Sequence, residues 1–574
     1  MMKGMLKRAL GVVAAAAMAV TGMAALSGTA NADEVTDCTD DTCMITVNGA
    51  ANQLDGHTFK TIKLASYDVY TNDDSSQTMT LVTEGGSVKS AVTTALNDIV
   101  DPDVPTDADP LAWAMQENKL DQSTTSPWFG TDGTTRKLAD ALVASLNNTA
   151  NDATPKLNGD KTAATFTFTE PGLYLIIDQG PRTNGQVSSS KALGMIAGTK
   201  LTLMVAGEDG SLTETHVSYG TVNMKNDVTT ITKTVNDHAA QTDDVVTYTL
   251  STNIPNYIGY KVNGYTFKIN DAFEEDAPLQ YVAGSLEVKV KKTDNTPEVT
   301  LTAPQDYTLT GFGQEGQAAD SFTLDLSSYI QKNAFNGTAG PDDTFNNVSL
   351  VDATVTVTYD AKVTGPIEED GALNTPSVTY TNDPSTNTTG TVPGPGQKVF
   401  NFQYTVKKVD RQTGAALQGA EFTIYRGTEA SEANRIGTQI TGDDGLATFE
   451  GLDAGKYTIK ETGVPEDYIN SNVQFTVTIT PTYNGKNENM TVTNVDYVIS
   501  GVEIGQPDAG LVSDVTEGNG VGGGTVEVQN AKSIFELPAT GAAGITMFAV
   551  LGLLIAGAGV TVYAKSRNIR KAMR

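Results

Sequence analysis

Apolar and polar residues alternate over several short runs of this sequence. Residues 164–178 (ATFTFTEPGLYLIID), 245–252 (VVTYTLST) and 353–363 (ATVTVTYDAKV) repeat Thr, Val, Phe and Tyr in this way. A period of two puts alternate side chains on opposite faces of a strand, and one face is then buried. The sequence therefore predicts a mainly β protein built from half-buried antiparallel strands.

Two stretches depart from this rhythm and space Ala, Leu and Val as a helix does, near residues 87–100 and 135–148. Both lie in the first third of the chain, which predicts an N-terminal domain with a few helices. At roughly 100 to 200 residues per domain, the remainder divides into two further β domains. The predicted boundaries are 33–224 for the first domain, 225–384 for the second, 385–398 for a Thr/Pro/Gly-rich linker and 399–532 for the third.

The two ends of the chain have the pattern of an exported and membrane-held protein. Residues 1–32 run from basic residues through an Ala/Val-rich stretch to Ala-Asn-Ala, which predicts a secretory signal cleaved before Asp33. Residues 542–564 are uncharged and mostly apolar, which predicts a C-terminal transmembrane helix. Residues 565–574 are basic, so this tail stays in the cytoplasm and the body of the protein faces outside.

Composition narrows the function. The formal net charge of −30 argues against a nucleic-acid partner, which needs a basic face. We expect no cofactor or metal, because the three histidines lack metal-ligand spacing and no nucleophile–base constellation is visible. Four aspartates could meet a calcium ion, although an acidic surface loop is the simpler interpretation. The residues concerned are His57, His216, His238, Asp101, Asp103, Asp107 and Asp109.

Four other residues are structural candidates. Cys38 and Cys43 are the two cysteines of the chain, and an oxidising exterior allows a disulfide between them. Trp113 and Trp128 are expected to anchor the core of the first domain, and a role in binding glycan or collagen is the alternative.

The third domain carries a motif set. Lys-Val-Asp at 408–410, Gly-Ala-Glu-Phe at 419–422 and Tyr-Thr-Ile-Lys-Glu-Thr at 457–462 resemble the Cna-type B domain of Gram-positive surface proteins, a small Ig-like sandwich. Strand parity places three polar residues on apolar faces: Lys408, Glu461 and Asn530. The resemblance implies an autocatalytic isopeptide bond from Lys408 to Asn530 with Glu461 as the acid. Asn494 is the rival acceptor.

The second domain has a comparable arrangement in a different set of sequence motifs. The stretches TTITKTVND, YTFKINDAF and GALNTPSVTYTNDP resemble the middle domain of sortase-assembled backbone pilins. In that family a Lys, an Asp and an Asn form the bond, and the matching residues here are Lys233, Asp271 and Asn374. Parity again puts all three on the apolar faces of their strands.

The C-terminus contains Leu-Pro-Ala-Thr-Gly before the apolar segment and the basic tail. This three-part order resembles the cell-wall sorting signal, which a sortase cuts after the threonine and transfers to an amine. In backbone pilins the amine is a lysine at the seam between the first two domains, and Lys225 has that position, although Asn-Met replaces the family's Tyr-Pro before it. The motif residues are Leu537, Pro538, Ala539, Thr540 and Gly541.

The resemblance as a whole implies a structural shaft subunit of a covalent cell-surface pilus that serves adhesion, and not an enzyme. The implied partners are a pilin-specific sortase, a housekeeping sortase, further copies of the chain, minor tip or basal pilins, peptidoglycan and a host receptor. The alternative is a singly wall-anchored adhesin that binds host matrix or glycan. A usable lysine at the seam distinguishes the two.

Overall fold

The structure is a computed structural model, and it describes residues 32–34, 38, 42–49, 53–116, 119–120, 133–181, 190–206, 211–218, 220–224, 226, 229–311, 320–384, 386–470, 473–503 and 510–533. Strands dominate these residues, and three of the four α-helices lie in the first domain. The prediction of a mainly β chain with tandem sandwich domains and an N-terminal domain with a few helices is confirmed.

The first domain packs helices and two sheets around two apolar clusters. One sheet has the order β1-β3-β8-β9 with β4 and β5 also on β3, the other has the order β12-β2-β7-β6, and β10 pairs with β11. The elements are β1 Ala32–Glu34, β2 Met44–Asn48, β3 His57–Thr71, β4 Gln77–Thr83, α1 Ser87–Ile99, α2 Pro110–Gln116, α3 Thr134–Leu146, β5 Asn151–Ala153, β6 Lys156–Leu157, β7 Ala163–Thr167, β8 Leu173–Pro181, β9 Met195–Gly198, β10 Leu201–Ala206, β11 Leu212–Ser218 and β12 Thr221–Asn223.

The second domain is a sandwich of two antiparallel sheets, ordered β13-β14-β21-β17-β18 with β16 on β21, and β19-β20-β15-β22-β23 with β24 on β22. Alternate residues of the long strands fill the space between the sheets, as in β21, where every second side chain from Val355 to Val363 is buried. The elements are β13 Ile231–Val235, β14 Val245–Asn253, β15 Phe267–Phe273, β16 Leu279–Tyr281, β17 Glu287–Lys291, β18 Val299–Leu301, β19 Thr308–Gly311, β20 Ser321–Asp325, α4 Ser327–Asn333, β21 Thr354–Val363, β22 Ala372–Thr381, β23 Thr389–Pro393 and β24 Gln397–Val399.

The third domain is a smaller sandwich with sheets β28-β25-β33-β32 and β27-β26-β29-β30-β31. Its first strand, β25, pairs in parallel with its last strand, β33. The elements are β25 Phe402–Asp410, β26 Glu421–Arg426, β27 Arg435–Ile440, β28 Leu446–Leu452, β29 Gly455–Gly463, β30 Gln474–Asn484, β31 Thr491–Glu503, β32 Val512–Asp514 and β33 Gly524–Asn530, with short 3-10 turns at Glu432–Asn434 and Asn487–Asn489.

The predicted linker at 385–398 is wrong for most of its length. Strand β23 and most of β24 lie inside it, and both pair with β22 of the second domain. Val392 is buried there, and Val399, which ends β24, is also buried. The two strands form antiparallel backbone hydrogen bonds at the edge of the sheet. Because these bonds use only backbone groups, a Thr- and Gly-rich sequence can form them.

The second and third domains share a close junction. The amide of Thr242 donates to the carbonyl of Gly451 at 2.9 Å, and the amide of Ala240 donates to the carbonyl of Phe400 at 3.0 Å. Arg426 Nη2 lies 2.6 Å from Asp244 Oδ2 across the same junction. No helix within the described residues is long and apolar enough to cross a membrane. The predicted signal and the predicted transmembrane segment lie outside those residues.

Candidate functional site

The second domain brings its three predicted residues together between its sheets. Lys233 is on β13, Asp271 is on β15 and Asn374 is on β22, and the exposed fractions of the three residues are 3%, 1% and 0%. Lys233 Nζ donates to Asp271 Oδ2 at 2.5 Å. Because Lys233 and the other two residues come from opposite sheets, a bond between Lys233 and Asn374 would tie the sandwich across its core.

A fourth side chain completes this group. Tyr359 of β21 is buried, and its hydroxyl accepts from Lys233 Nζ at 3.1 Å and from Asn374 Nδ2 at 2.6 Å. The same hydroxyl donates to Asp271 Oδ1 at 2.6 Å. Lys233, Asp271, Asn374 and Tyr359 are called the second-domain cluster below.

Burial decides the protonation of this cluster. Desolvation lowers the pKa of Lys233 to about 8, although the nearby carboxyl of Asp271 opposes the shift. Desolvation raises the pKa of Asp271, against the opposing effects of Lys233 and of hydrogen bonds. Both shifts favour the uncharged forms. A neutral amine beside a carboxylic acid is therefore more accessible here than it is for the same two groups in water.

The third domain has an equivalent group, called the third-domain cluster: Lys408 on β25, Glu461 on β29 and Asn530 on β33. All three side chains are buried, and Lys408 Nζ lies 2.9 Å from Glu461 Oε1. Asn530 Nδ2 donates to the same Glu461 oxygen at 3.1 Å. Desolvation lowers the pKa of Lys408 to about 8. Here the lysine and the asparagine lie on neighbouring parallel strands, and the acid comes from the opposite sheet.

The rival acceptor lies elsewhere. Asn494 is on β31 opposite Thr482, and its Nδ2 donates to Asp496 Oδ1 at 2.9 Å. The geometry therefore groups Asn530, and not Asn494, with Lys408 and Glu461.

The remaining candidates have ordinary structural surroundings where they are described. Asp109 accepts hydrogen bonds from Thr83 and from the start of α2, and no group of three potential metal ligands occurs within the described ranges. Trp113 packs partly buried against the first-domain core. Cys38 and Cys43 form a disulfide. Lys225, Trp128 and the Leu537–Gly541 motif lie outside the described residues.

These clusters can perform amide chemistry. A neutral lysine amine is a nucleophile, and the side-chain carbonyl carbon of asparagine is its electrophile when a nearby acid polarises the carbonyl. The side-chain oxygens of Asn374 and Asn530 have no hydrogen-bond partner within the described part of the chain. Each is therefore available to accept a bond from a protonated acid.

Sequence reasoning missed Tyr359. Its position in 353–363 follows the buried parity of Val355 and Val357, so an aromatic ring in the core was predictable. Its contact with the other three side chains of the cluster depends on pairing between distant strands, which the pattern of a single strand does not contain.

Comparison with known proteins identifies two parts of the chain. A family described as a prealbumin-like fold domain (SpaA) matches residues 402–496, and one described as an LPXTG cell wall anchor motif matches residues 529–569. No curated protein sequence matches the chain significantly.

Solved pilin structures are similar over much of the chain. The full-length major pilin SpaD from Corynebacterium diphtheriae is 16% identical with a TM-score of 0.45, covering 86% of this chain and 99% of that one. The T6 backbone pilin of serotype M6 Streptococcus pyogenes is 15% identical with a TM-score of 0.47, covering 86% and 99%. The pilus 2b backbone protein of group B streptococcus is 25% identical with a TM-score of 0.35, covering 53% and 98%.

The prediction of a Cna-B-type third domain followed by a sorting signal is confirmed by the two family matches. An anchor motif of this kind is the substrate of a sortase and places the body of a protein at the cell wall. The chain therefore carries a prealbumin-like SpaA domain and a cell-wall anchor motif, and it is a cell-wall-anchored surface protein.

Proposed function

We propose that the chain is the shaft subunit of a covalently polymerised cell-surface pilus that serves adhesion. The observation that carries the proposal is the pair of buried Lys–acid–Asn groups, one in each of two consecutive sandwiches. Burying a lysine destabilises a domain even when an acid partly compensates its charge. Two buried lysines, each beside an acid and an asparagine, are therefore hard to explain by packing alone.

Internal amide bonds would explain why these side chains are buried together. Lys233 Nζ would bond to the Asn374 side chain with Asp271 as the acid, and Lys408 Nζ to Asn530 with Glu461 as the acid, each with loss of ammonia. A domain held by non-covalent forces has roughly 5 to 15 kcal/mol of stability and opens under load. A covalent bridge between early and late strands removes that route of failure.

The link between subunits would join Thr540 of one copy to Lys225 of the next. The described residues beside Lys225 are fixed in the first domain: the amide of Met224 donates to the carbonyl of Asn48 at 2.7 Å, and Asn226 Nδ2 donates to the carbonyls of Gln53 and Ser190. These contacts anchor both neighbours of Lys225 to the first domain, which supports Lys225 as the site of a repeated transpeptidation.

A pilin-specific sortase would make this linkage, and a housekeeping sortase would transfer the last subunit to peptidoglycan. Minor tip or basal pilins and a host receptor are the further proposed partners. The linkage chemistry requires only the threonine thioester and an amine, so the lysine decides between polymer and single anchor.

The test is an immunoblot of cell-wall extracts after boiling in denaturant. The wild-type chain is expected to give a ladder of high molecular mass, and Lys225→Ala and Thr540→Ala are each expected to abolish it. Lys161→Ala is the matched control, because Lys161 is an exposed lysine of the first domain that pairs with Asp55 at the surface.

A ladder that survives Lys225→Ala would assign the linkage to another lysine. Absence of a ladder from the wild type would contradict the shaft proposal and favour the singly anchored adhesin.

A further inference from the structure

The second-domain cluster contains one group that the Lys–acid–Asn scheme does not use. The Tyr359 hydroxyl is hydrogen-bonded to the amine of Lys233, to the carboxyl of Asp271 and to the amide nitrogen of Asn374. It is therefore in contact both with the nucleophile and with the nitrogen that must leave.

The ring of Tyr359 is held in place by other aromatic rings. Tyr248 stacks on it at 5.5 Å between centroids, Phe322 meets it edge-on at 5.4 Å, and Tyr281 lies 6.0 Å away. Tyr359 also pairs directly with Tyr248 across β14 and β21. Packing on several sides leaves the hydroxyl little freedom, so its contacts with the three groups are preorganised.

The third-domain cluster achieves contact with both nitrogens in a different way. A single oxygen of Glu461 lies 2.9 Å from Lys408 Nζ and 3.1 Å from Asn530 Nδ2. The aromatic ring under that lysine is Phe422, which has no hydroxyl. Within the described residues no hydroxyl is hydrogen-bonded to this cluster.

The acids of the two clusters differ in side-chain length. Aspartate is one methylene shorter than glutamate, and in the second domain the amide nitrogen of Asn374 donates to Tyr359 Oη, which in turn donates to Asp271 Oδ1. The hydroxyl thus extends the reach of the shorter acid.

We propose that Tyr359 is a catalytic residue of the second-domain cross-link and relays the proton that leaves with ammonia. This inference rests on the proposed isopeptide bond between Lys233 and Asn374, and it adds a fourth group to that reaction.

The relay balances atoms and charge. Lys233 Nζ bonds to the side-chain carbon of Asn374, and the bond from that carbon to Nδ2 breaks. Once the amine has added to the carbonyl, Nδ2 has a lone pair and the two hydrogen bonds at Tyr359 Oη reverse their direction. Tyr359 then gives its own proton to Nδ2 and takes the proton held on Asp271 Oδ1, and Lys233 Nζ gives a proton to Asp271 Oδ2. The products are one amide and one ammonia, and the carboxyl and the hydroxyl are both restored.

The test follows cross-linking of the full chain in the producing cells. Pulse-labelled chain is denatured at intervals and digested, and the peptides joined through Lys233 and through Lys408 are quantified separately by mass spectrometry. Tyr359→Phe is expected to slow the second-domain bond about 100-fold, the lower end of the effect of a positioned general acid–base group, and to leave the third-domain bond unchanged.

The matched control is Tyr281→Phe. It removes a hydroxyl from the same aromatic group, but that hydroxyl lies near Ser285 and the backbone of Leu286. It is expected to form both bonds at the wild-type rate. A Tyr359→Phe rate within about threefold of that control would overturn the inference.

Loss of folding would also slow the reaction, so hydrogen exchange of β21 is compared in Tyr359→Phe and Asp271→Asn, both expected to keep this strand protected. Protection lost in Tyr359→Phe alone would assign the residue a purely structural role and overturn the inference. A wild-type chain that never joins Lys233 to Asn374 would overturn the proposed bond itself, a result distinct from failure of the relay alone.

Discussion

The buried lysines are the residues with the most unusual energetics in the chain. Lys408 has no exposed surface and lies beside one carboxyl, one amide and the ring of Phe422. Desolvation opposes its charged form, and the single nearby acid only partly compensates. An unlinked Lys408 therefore lowers the stability of the domain at any pH at which this lysine is charged in the unfolded chain.

This cost predicts a pH dependence in a chain that cannot cross-link its third domain, Asn530→Ala. The pKa of Lys408 is about 8 when folded against an ordinary value of 10.5. Between these values the unfolded state holds a proton that the folded state has lost, so stability rises with pH across the window, by no more than about 3 kcal/mol. Below pH 8 both states are protonated, and the gain is absent.

The measurement is the urea midpoint of the third domain, obtained by pulse proteolysis from pH 8 to 10.5. The reference is Asn530→Ala combined with Lys408→Met, in which other titrating groups contribute equally. Identical pH slopes in the two variants would show that Lys408 is not the source.

At this scale much of the site was predictable from sequence. A strand's two-residue period placed Lys233, Asp271, Asn374 and the third-domain residues on buried faces without knowledge of the pairing. The two-residue period contains no information about the distances between strands. It could not choose between Asn530 and Asn494, which both lie on strands, nor assign a role to Tyr359.

Among the elements, the junction between the second and third domains includes one strand residue with a left-handed backbone. Gly451 lies in β28 with φ of +67°, its carbonyl accepts from Thr242, and a Cβ at this position would lie 2.1 Å from Thr242 Oγ1. The ion pair of Arg426 with Asp244 is partly exposed at the same junction and contributes at most about 1 kcal/mol. Backbone fit, more than charge, therefore holds the two domains together.

Gly451→Ala is expected to loosen this junction, because a side chain both disfavours the left-handed backbone by about 1 kcal/mol and displaces Thr242. Small-angle scattering of protein released from the wall should show a broader range of interdomain distances. Gly427→Ala is the matched control: its φ is +82° and no atom lies near its Cβ. Equal scattering from the two variants would indicate that Thr242 adjusts without opening the junction.

Elements were predicted best where a hydrophobic period was long. The helical spacings near residues 87–100 and 135–148 correspond to α1 and α3, whose buried residues recur every three or four positions. Strands β23 and β24 were missed because edge strands are short and need few apolar residues to pair. Composition alone indicated a linker at that point.

At the scale of the whole molecule, the proposed linkages define a load path that is much shorter than the chain. Under the proposed linkages, force enters at Lys225, crosses from Lys233 to Asn374, continues to Lys408, crosses to Asn530 and leaves through Thr540. The first domain precedes Lys225 and bears no load. The segments 234–373 and 409–529 are bypassed, so most of both sandwiches is protected while the covalent route carries the tension.

This path predicts how far each variant extends when one molecule is pulled between residues 225 and 540. Asn374→Ala should release about 140 residues in one step, roughly 46–50 nm, because an extended residue spans ~3.3–3.6 Å. Asn530→Ala should release about 120 residues, roughly 40–44 nm, by the same spacing. The wild-type chain should show neither step, because its bridges hold both segments closed. Steps of both lengths in the wild type would mean that the buried lysines remain unlinked and that the sandwiches bear load by packing alone.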